Sequence, residues 1–201
     1  VRDTTVIRKS DNLFTAEVSE NWSIGNTANG GYSMTLAAKA MSEYLEHKDP
    51  LSISAHYLDR VDFGTTELHV THLSSSKSLS TARVELIQDN KIKIIFIGTF
   101  TDFSFKNDMN IYERDVPNFP EYNSCEVIPY KEGFNPKLDK NIEKAYAQDS
   151  LWWKKDIDNS SSTLNLYMSW PEKDNIDLFD LVLFLDAVSY THLRAHETAM
   201  Y

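Results

Sequence analysis

A single long helix followed directly by four strand-like runs leaves few folds open to this chain. From Asn29 to Glu46 the apolar positions Tyr32, Leu36, Ala40, Met41, Tyr44 and Leu45 recur at the spacing of one helix face. Asp49-Pro50 ends that pattern, and the apolar period changes from 3.6 to 2. Leu51, Ile53, Ala55 and Tyr57 share one face of the first run, and Leu68 and Val70 one side of the next. Ala82, Val84 and Leu86 follow, then Ile92, Ile94 and Phe96 with Ile95 and Ile97 opposite. Gly64, the polar run Ser74 to Lys77, and Asp89-Asn90 mark the turns. With a strand expected from Leu13 to Val18, residues 12–102 give an α+β arrangement, an antiparallel sheet wrapped on one helix. One helix cannot cover both faces of a sheet, so the other face needs a partner.

The helix opens on Asn29-Gly30-Gly31. Asn29 suits the N-cap, where its side-chain oxygen can accept from the first turn. Two glycines there are costly, at about 1 kcal/mol each against Ala inside a helix. They make sense where something approaches the helix start closely: a sheet packing tightly, or a ligand held by backbone amides. The residue pattern leaves both open.

Residues 103–136 contain Pro117, Pro120, Pro129 and Pro136 with little periodicity, and are expected to be a linker. Strand-like patterns resume near Asn141, in "IEKAYAQD" and again over residues 161–170. A second helix is expected after Asp177, with Asp180 three residues on completing the cap. Leu178, Leu181, Val182 and Leu185 form its apparent apolar face. The second half thus repeats the order of strand, then helix.

Composition narrows the function classes. The net charge of −10 leaves no basic stripe of the kind nucleic-acid binding requires. No stretch approaches the ~18 apolar residues of a membrane span. Cys125 is the only cysteine, so no intrachain disulfide or cysteine metal site is expected, and a reducing, cytoplasmic setting is the default. No metal is expected either. His69 and His72 face opposite sides of a strand, and His192 and His196 lie in "HLRAHE", whose Glu follows the second His. Ser74-x-x-Lys77 and Ser10-Asp11-Asn12 occur in the wrong order for penicillin-recognising enzymes, and no Gly-x-Ser-x-Gly supports an α/β-hydrolase.

The run of Trp22, Ile24, Asn29-Gly30-Gly31-Tyr32, "LSISAHYL" and "SLSTARVELIQDNKIKIIFIGTF" closely resembles the N-terminal half of TesB-like (type II) acyl-CoA thioesterases. The resemblance continues more loosely to "LYMSWPEKDNIDLFDLVLFLDA". It implies a double hot-dog protein, with residues 1–102 as the first unit, 103–136 as linker and 137–187 as the start of a second, truncated unit. It implies hydrolysis of a fatty acyl-CoA thioester, with acyl-CoA as the small-molecule partner and no cofactor. It also implies association of copies through hot-dog sheets. The family's helix carboxylate is matched by Asp186, and the helix-start residues Asn29, Gly30, Gly31 and Tyr32 by position are expected to bind substrate. The hydroxyl and amide partners of that carboxylate belong to later strands that the chain does not reach. One departure is Asp59-Arg60 after Tyr57-Leu58, where relatives often carry Arg-Pro.

"VSYTHLRAHETAMY", residues 188–201, does not resemble the family; it resembles translated sequencing-adapter sequence. Native sequence is therefore expected to end near Asp186 or Ala187, in a gene fragment that is itself expected to be inactive because the partners of Asp186 are missing, and a peroxisomal address at the true C-terminus would go unseen. Two other functions fit a hot-dog chain. One is a non-catalytic acyl-CoA or lipid-binding module. The other is an enoyl hydratase or dehydratase, for which His56 has no evident Asp partner. Trp152, Trp153 and Trp170 are candidates either for an acyl tunnel or for ordinary core.

Overall fold

The computed structural model describes residues 3–104, 113, 115, 118–151, 153–154, 163–172 and 175–187. The described residues divide into two compact units, one drawn from residues 1–108 and 176–187, the other from 109–175. The 188–201 segment, with His192 and His196, and Trp152 lie outside the described residues.

In the first unit, strands β1 (Val6–Arg8) and β2 (Leu13–Val18) precede the short pair β3 (Ser23–Ile24) and β4 (Thr27–Ala28). Helix α1 (Gly30–Tyr44) follows, then β5 (Asp49–Tyr57), β6 (Gly64–Ser75), β7 (Ser80–Gln88) and β8 (Lys91–Thr101). Six strands form one antiparallel sheet in the order β1-β2-β6-β7-β8-β5. Asp89 and Asn90, at φ 50° and 58°, join β7 to β8. Two successive left-handed residues give the twist that a tight hairpin needs, and Asn and Asp tolerate them better than most side chains.

Register decides which side chains meet α1. One row runs across the sheet through Phe14, Leu68, Leu86, Ile94 and Tyr57, and its neighbour through Val70, Val84, Phe96 and Ala55. Apart from the edge positions on β5, these side chains are buried, together with Leu36, Ala37, Ala40 and Met41 of α1. Full burial of a Leu, Ile or Phe side chain contributes about 1.5–3 kcal/mol each, which makes this row pattern the main source of the unit's stability. The opposite face carries Thr81, Arg83, Glu85, Ile95 and Ile97, with Arg83 paired to Glu85 at 3.0 Å.

Two expectations for these strands need correction. Leu51 does not share the face of Ile53, Ala55 and Tyr57 in any buried sense: the register of β5 shifts between Pro50 and Ser52, and Leu51 is exposed. Ile92 is likewise exposed, because the β7–β8 ladder is irregular at Leu86 and Ile87, while Lys93 beside it is buried. The Lys93 ammonium is compensated by Asp59 Oδ2 at 3.0 Å and Asp62 Oδ2 at 3.8 Å. The hydrogen bond from Lys93 holds the Asp59 carboxyl below its ordinary value. Asp59, the departure from the Arg-Pro pattern, thus serves a buried cation that the hydrophobic reading of β8 did not foresee.

Helix α2 (Leu178–Asp186) belongs to the same compact unit and packs along α1. Its cap forms as expected: Asp180 N–H donates to Asp177 Oδ1 at 2.8 Å and Asp177 N–H to Asp180 Oδ2 at 3.0 Å. Its buried face does not. Leu183 and Phe184 are buried with Asp180, whereas Leu181 and Leu185 are 47% and 80% exposed. The helix is apolar almost all round, so helical spacing alone cannot tell one stripe from the other. The docking partner α1 selects the Leu183 side.

The second unit holds a three-stranded antiparallel sheet, β9 (Glu126–Val127), β10 (Glu143–Tyr146) and β11 (Leu166–Ser169), in the order β11-β10-β9. Glu126–Val127 falls inside the stretch expected as linker. Ala145, Tyr146 and Leu151 are buried, and Tyr167 packs edge-on against Phe119 and Tyr122. Trp170 is buried, while Trp153 stands half exposed, edge-on to Tyr146.

Candidate active site

The first turn of α1 is where the expected site residues meet. Asn29 caps the helix, its Oδ1 accepting from Tyr32 N–H at 2.9 Å. The Asn29 carbonyl accepts from Ser33 N–H at 3.1 Å. Gly31 N–H donates to Asp186 Oδ2 at 2.7 Å, and Asn29 Nδ2 donates to the same oxygen at 2.9 Å. Asp186 is thus bound at the positive end of α1, where two donors converge on one carboxylate oxygen. It sits at the last turn of its own helix, where a negative charge opposes the macrodipole; the start of α1 offsets that conflict. Among the described residues, Gly30 N–H is the first-turn amide without a protein acceptor.

The geometry resolves what the glycines admit. A Cβ on Gly31 would lie 2.7 Å from Asp186 Cβ and 2.9 Å from the Leu183 carbonyl oxygen. A Cβ on Gly30 would lie 2.7 Å from Tyr57 Oη and 2.9 Å from Asp186 Oδ2. The close approach is made by α2 and by a side chain from β5, neither of which the sequence pattern had singled out. Thr35, one turn on, keeps the same contact narrow: its hydroxyl lies 2.9 Å from the Gly31 carbonyl and 3.4 Å from that of Phe179.

Tyr32 joins this turn through its backbone only. Its ring is buried and stacks on Trp22 at 5.8 Å, and its hydroxyl donates to the Asp3 carbonyl at 2.6 Å and accepts from Ser19 N–H at 3.1 Å. That is the environment of a packing residue. Burial pushes the phenol from 10.0 up to about 12. The folded chain therefore keeps a proton that the unfolded chain loses near pH 10, and the resulting stability is present below that pH and lost as pH rises towards 12. Tyr32→Phe is expected to cost about 1–3 kcal/mol at neutral pH by stranding the Ser19 amide. Melting curves should show that gap to the parent narrowing between pH 10 and 12.

Elsewhere His69 pairs with Glu67 and His72 with Ser75 Oγ, each at 2.8 Å. His56 is exposed on β5.

The architecture described, a six-stranded antiparallel sheet curled on one helix, is the hot-dog fold. It is shared with a candidate thioesterase II from Thermobifida fusca, at a TM-score of 0.82 and 19% identity, over 95% of this chain and 74% of that one. A hot-dog protein from Alicyclobacillus acidocaldarius matches at 0.82 and 12%, over 94% and 69%. The acyl-CoA thioesterase II TesB2 of Mycobacterium marinum matches at 0.68 and 14%, over 96% and 72%. At these identities the likeness establishes the fold. Residues 18–101 match the family model of the acyl-CoA thioesterase N-terminal domain. No curated protein matches the sequence.

Proposed function

We propose that the intact protein hydrolyses fatty acyl-CoA to a free fatty acid and CoA, with Asp186 as the carboxylate that orients and deprotonates the attacking water. The observation that carries this is the docking of Asp186 on the Gly31 and Asn29 donors, at the start of the helix inside the segment that matches an acyl-CoA thioesterase domain. One carboxylate oxygen is held, and the other is available to a water. The water oxygen bonds to the thioester carbon as Asp186 takes its proton, and the sulfur leaves with that proton when the C–S bond breaks. Gly30 N–H is placed to polarise the carbonyl. A thioesterase predicts loss of thioester absorbance with release of free CoA; binding without turnover would favour an acyl-CoA-binding module, and a hydrated or dehydrated acyl chain a hydratase.

Residues 137–187 belong to this reading as the start of a second hot-dog unit, supported by the succession of β10, β11 and then α2 along the chain; α2 itself packs within the first compact unit. Association of copies is supported by the open edge of β5 and by Ile95 and Ile97 on the outer sheet face. Among the described residues no helix is long and apolar enough to cross a membrane. A cytoplasmic setting is supported by the single cysteine, Cys125, which is free and partly accessible.

A further inference from the structure

Tyr57 reaches over Gly30 from the sheet. Its place is set by register: it ends the row of Phe14, Leu68, Leu86 and Ile94, so its ring lies on the helix side of the sheet, yet on the edge strand, where it stays 54% exposed. The point where a Gly30 side chain would begin is 2.7 Å from Tyr57 Oη, 3.0 Å from its Cζ and 2.9 Å from Asp186 Oδ2. Phenol and carboxylate therefore both close over the Gly30 backbone, at distances that only glycine admits. The Gly31 and Asn29 donors are both committed to Asp186. A carbonyl oxygen brought up beside Asp186 has the Tyr57 hydroxyl and the Gly30 amide as its nearest unused donors.

From this arrangement we infer that Tyr57 is a further catalytic residue, donating its phenolic O–H to the thioester carbonyl oxygen as charge develops there. This rests on the thioesterase reading above. When water attacks, the C=O electron pair moves onto oxygen, where Tyr57 O–H and Gly30 N–H hold it. When the C=O bond re-forms, the C–S bond breaks and the sulfur takes from Asp186 the proton removed from water. Tyr57 keeps its own proton throughout. Partial burial and the Asp186 charge hold its phenol above the ordinary value, which keeps it a donor rather than a base.

The test uses the intact protein, extended through the strands that follow α2, and its Tyr57→Phe variant, which keeps the ring and removes the donor. Thioester absorbance is followed across acyl-CoAs of several chain lengths. In parallel, the infrared stretch of a ¹³C-labelled carbonyl is recorded in a bound ketone analogue, with sulfur replaced by methylene. Loss of one oxyanion donor should lower kcat by about 10²-fold with KM nearly unchanged. The carbonyl stretch should be lowered in the parent and return towards the free value in the variant. Equal kcat and equal stretch in parent and variant would overturn the assignment while leaving the thioesterase reading standing. A parent that releases no CoA overturns the thioesterase reading, and the stretch then decides Tyr57 alone. Failure of the parent to bind the analogue overturns both.

Discussion

Asp186→Asn is expected to abolish most of the hydrolysis and little of the structure. The asparagine oxygen can still accept from Gly31 N–H and Asn29 Nδ2, so the α1–α2 contact keeps its geometry. What disappears is the charge. Hydrogen bonds to a charged acceptor are worth about 1.5–3 kcal/mol against 0.5–1.5 for a neutral one, so with two such bonds docking should weaken by about 2–3 kcal/mol at most. The chemistry should lose far more, because an amide cannot take a proton from water; removing a general base costs about 10²–10⁴ in kcat. Rates at saturating acyl-CoA, read beside thermal melts of both proteins, separate the two effects. A variant with parental kcat would remove Asp186 from the mechanism and leave it a structural link between helices.

Gly31→Ala is the second large effect, and it should strike stability and activity together. Its Cβ would be placed 2.9 Å from a backbone carbonyl of α2 and 2.7 Å from Asp186 Cβ. Neither is the free end of a flexible side chain, so α2 itself must shift. Overpacking of this sort costs about 1–3 kcal/mol, against which the helix preference of Ala over Gly returns at most about 1 kcal/mol. A carboxylate displaced by about 1 Å loses about 10²-fold in rate. Gly30→Ala offers the contrast: its neighbours are the Tyr57 hydroxyl, which can turn aside, and Asp186 Oδ2, whose bonds to Gly31 and Asn29 resist the shift. It should cost less stability than Gly31→Ala, because no backbone atom is in its way, yet displace the Tyr57 hydroxyl from Gly30. If Gly31→Ala melted like the parent and stayed active, the tight α1–α2 approach would not be what demands glycine there.

Much of this was legible from local rules. Asn29 and the Asp177/Asp180 pair signal helix starts because capping is a contact among residues three apart, and both caps form. The four strands after α1 declare themselves because alternation is also local. The errors share a cause. Leu51 and Ile92 were assigned to a face by counting, but a single register irregularity in each ladder moved them. On α2 the stripe of Leu178, Leu181, Val182 and Leu185 was as regular as the one that is buried, and only the partner helix breaks the tie. Tyr32 was expected at the ligand because it adjoins the glycines; its side chain points instead to Asp3, Glu17 and Ser19. Tyr57 carried no local signal at all beyond its place on a strand face.

The sequence by itself determined the order of α1 and the four strands after it, that one glycine pair had to admit a close neighbour, and that Asp186 ends an apolar helix. Those are properties of residues a few positions apart, governed by backbone sterics, capping and period. Only the tertiary structure decided what the neighbour is. Asp186 lies 155 positions from Gly31, and nothing in the pairing of a carboxylate with a distant helix start is encoded within either segment. The charge of one helix end and the unpaired donors of another become a site only when packing removes the distance between them.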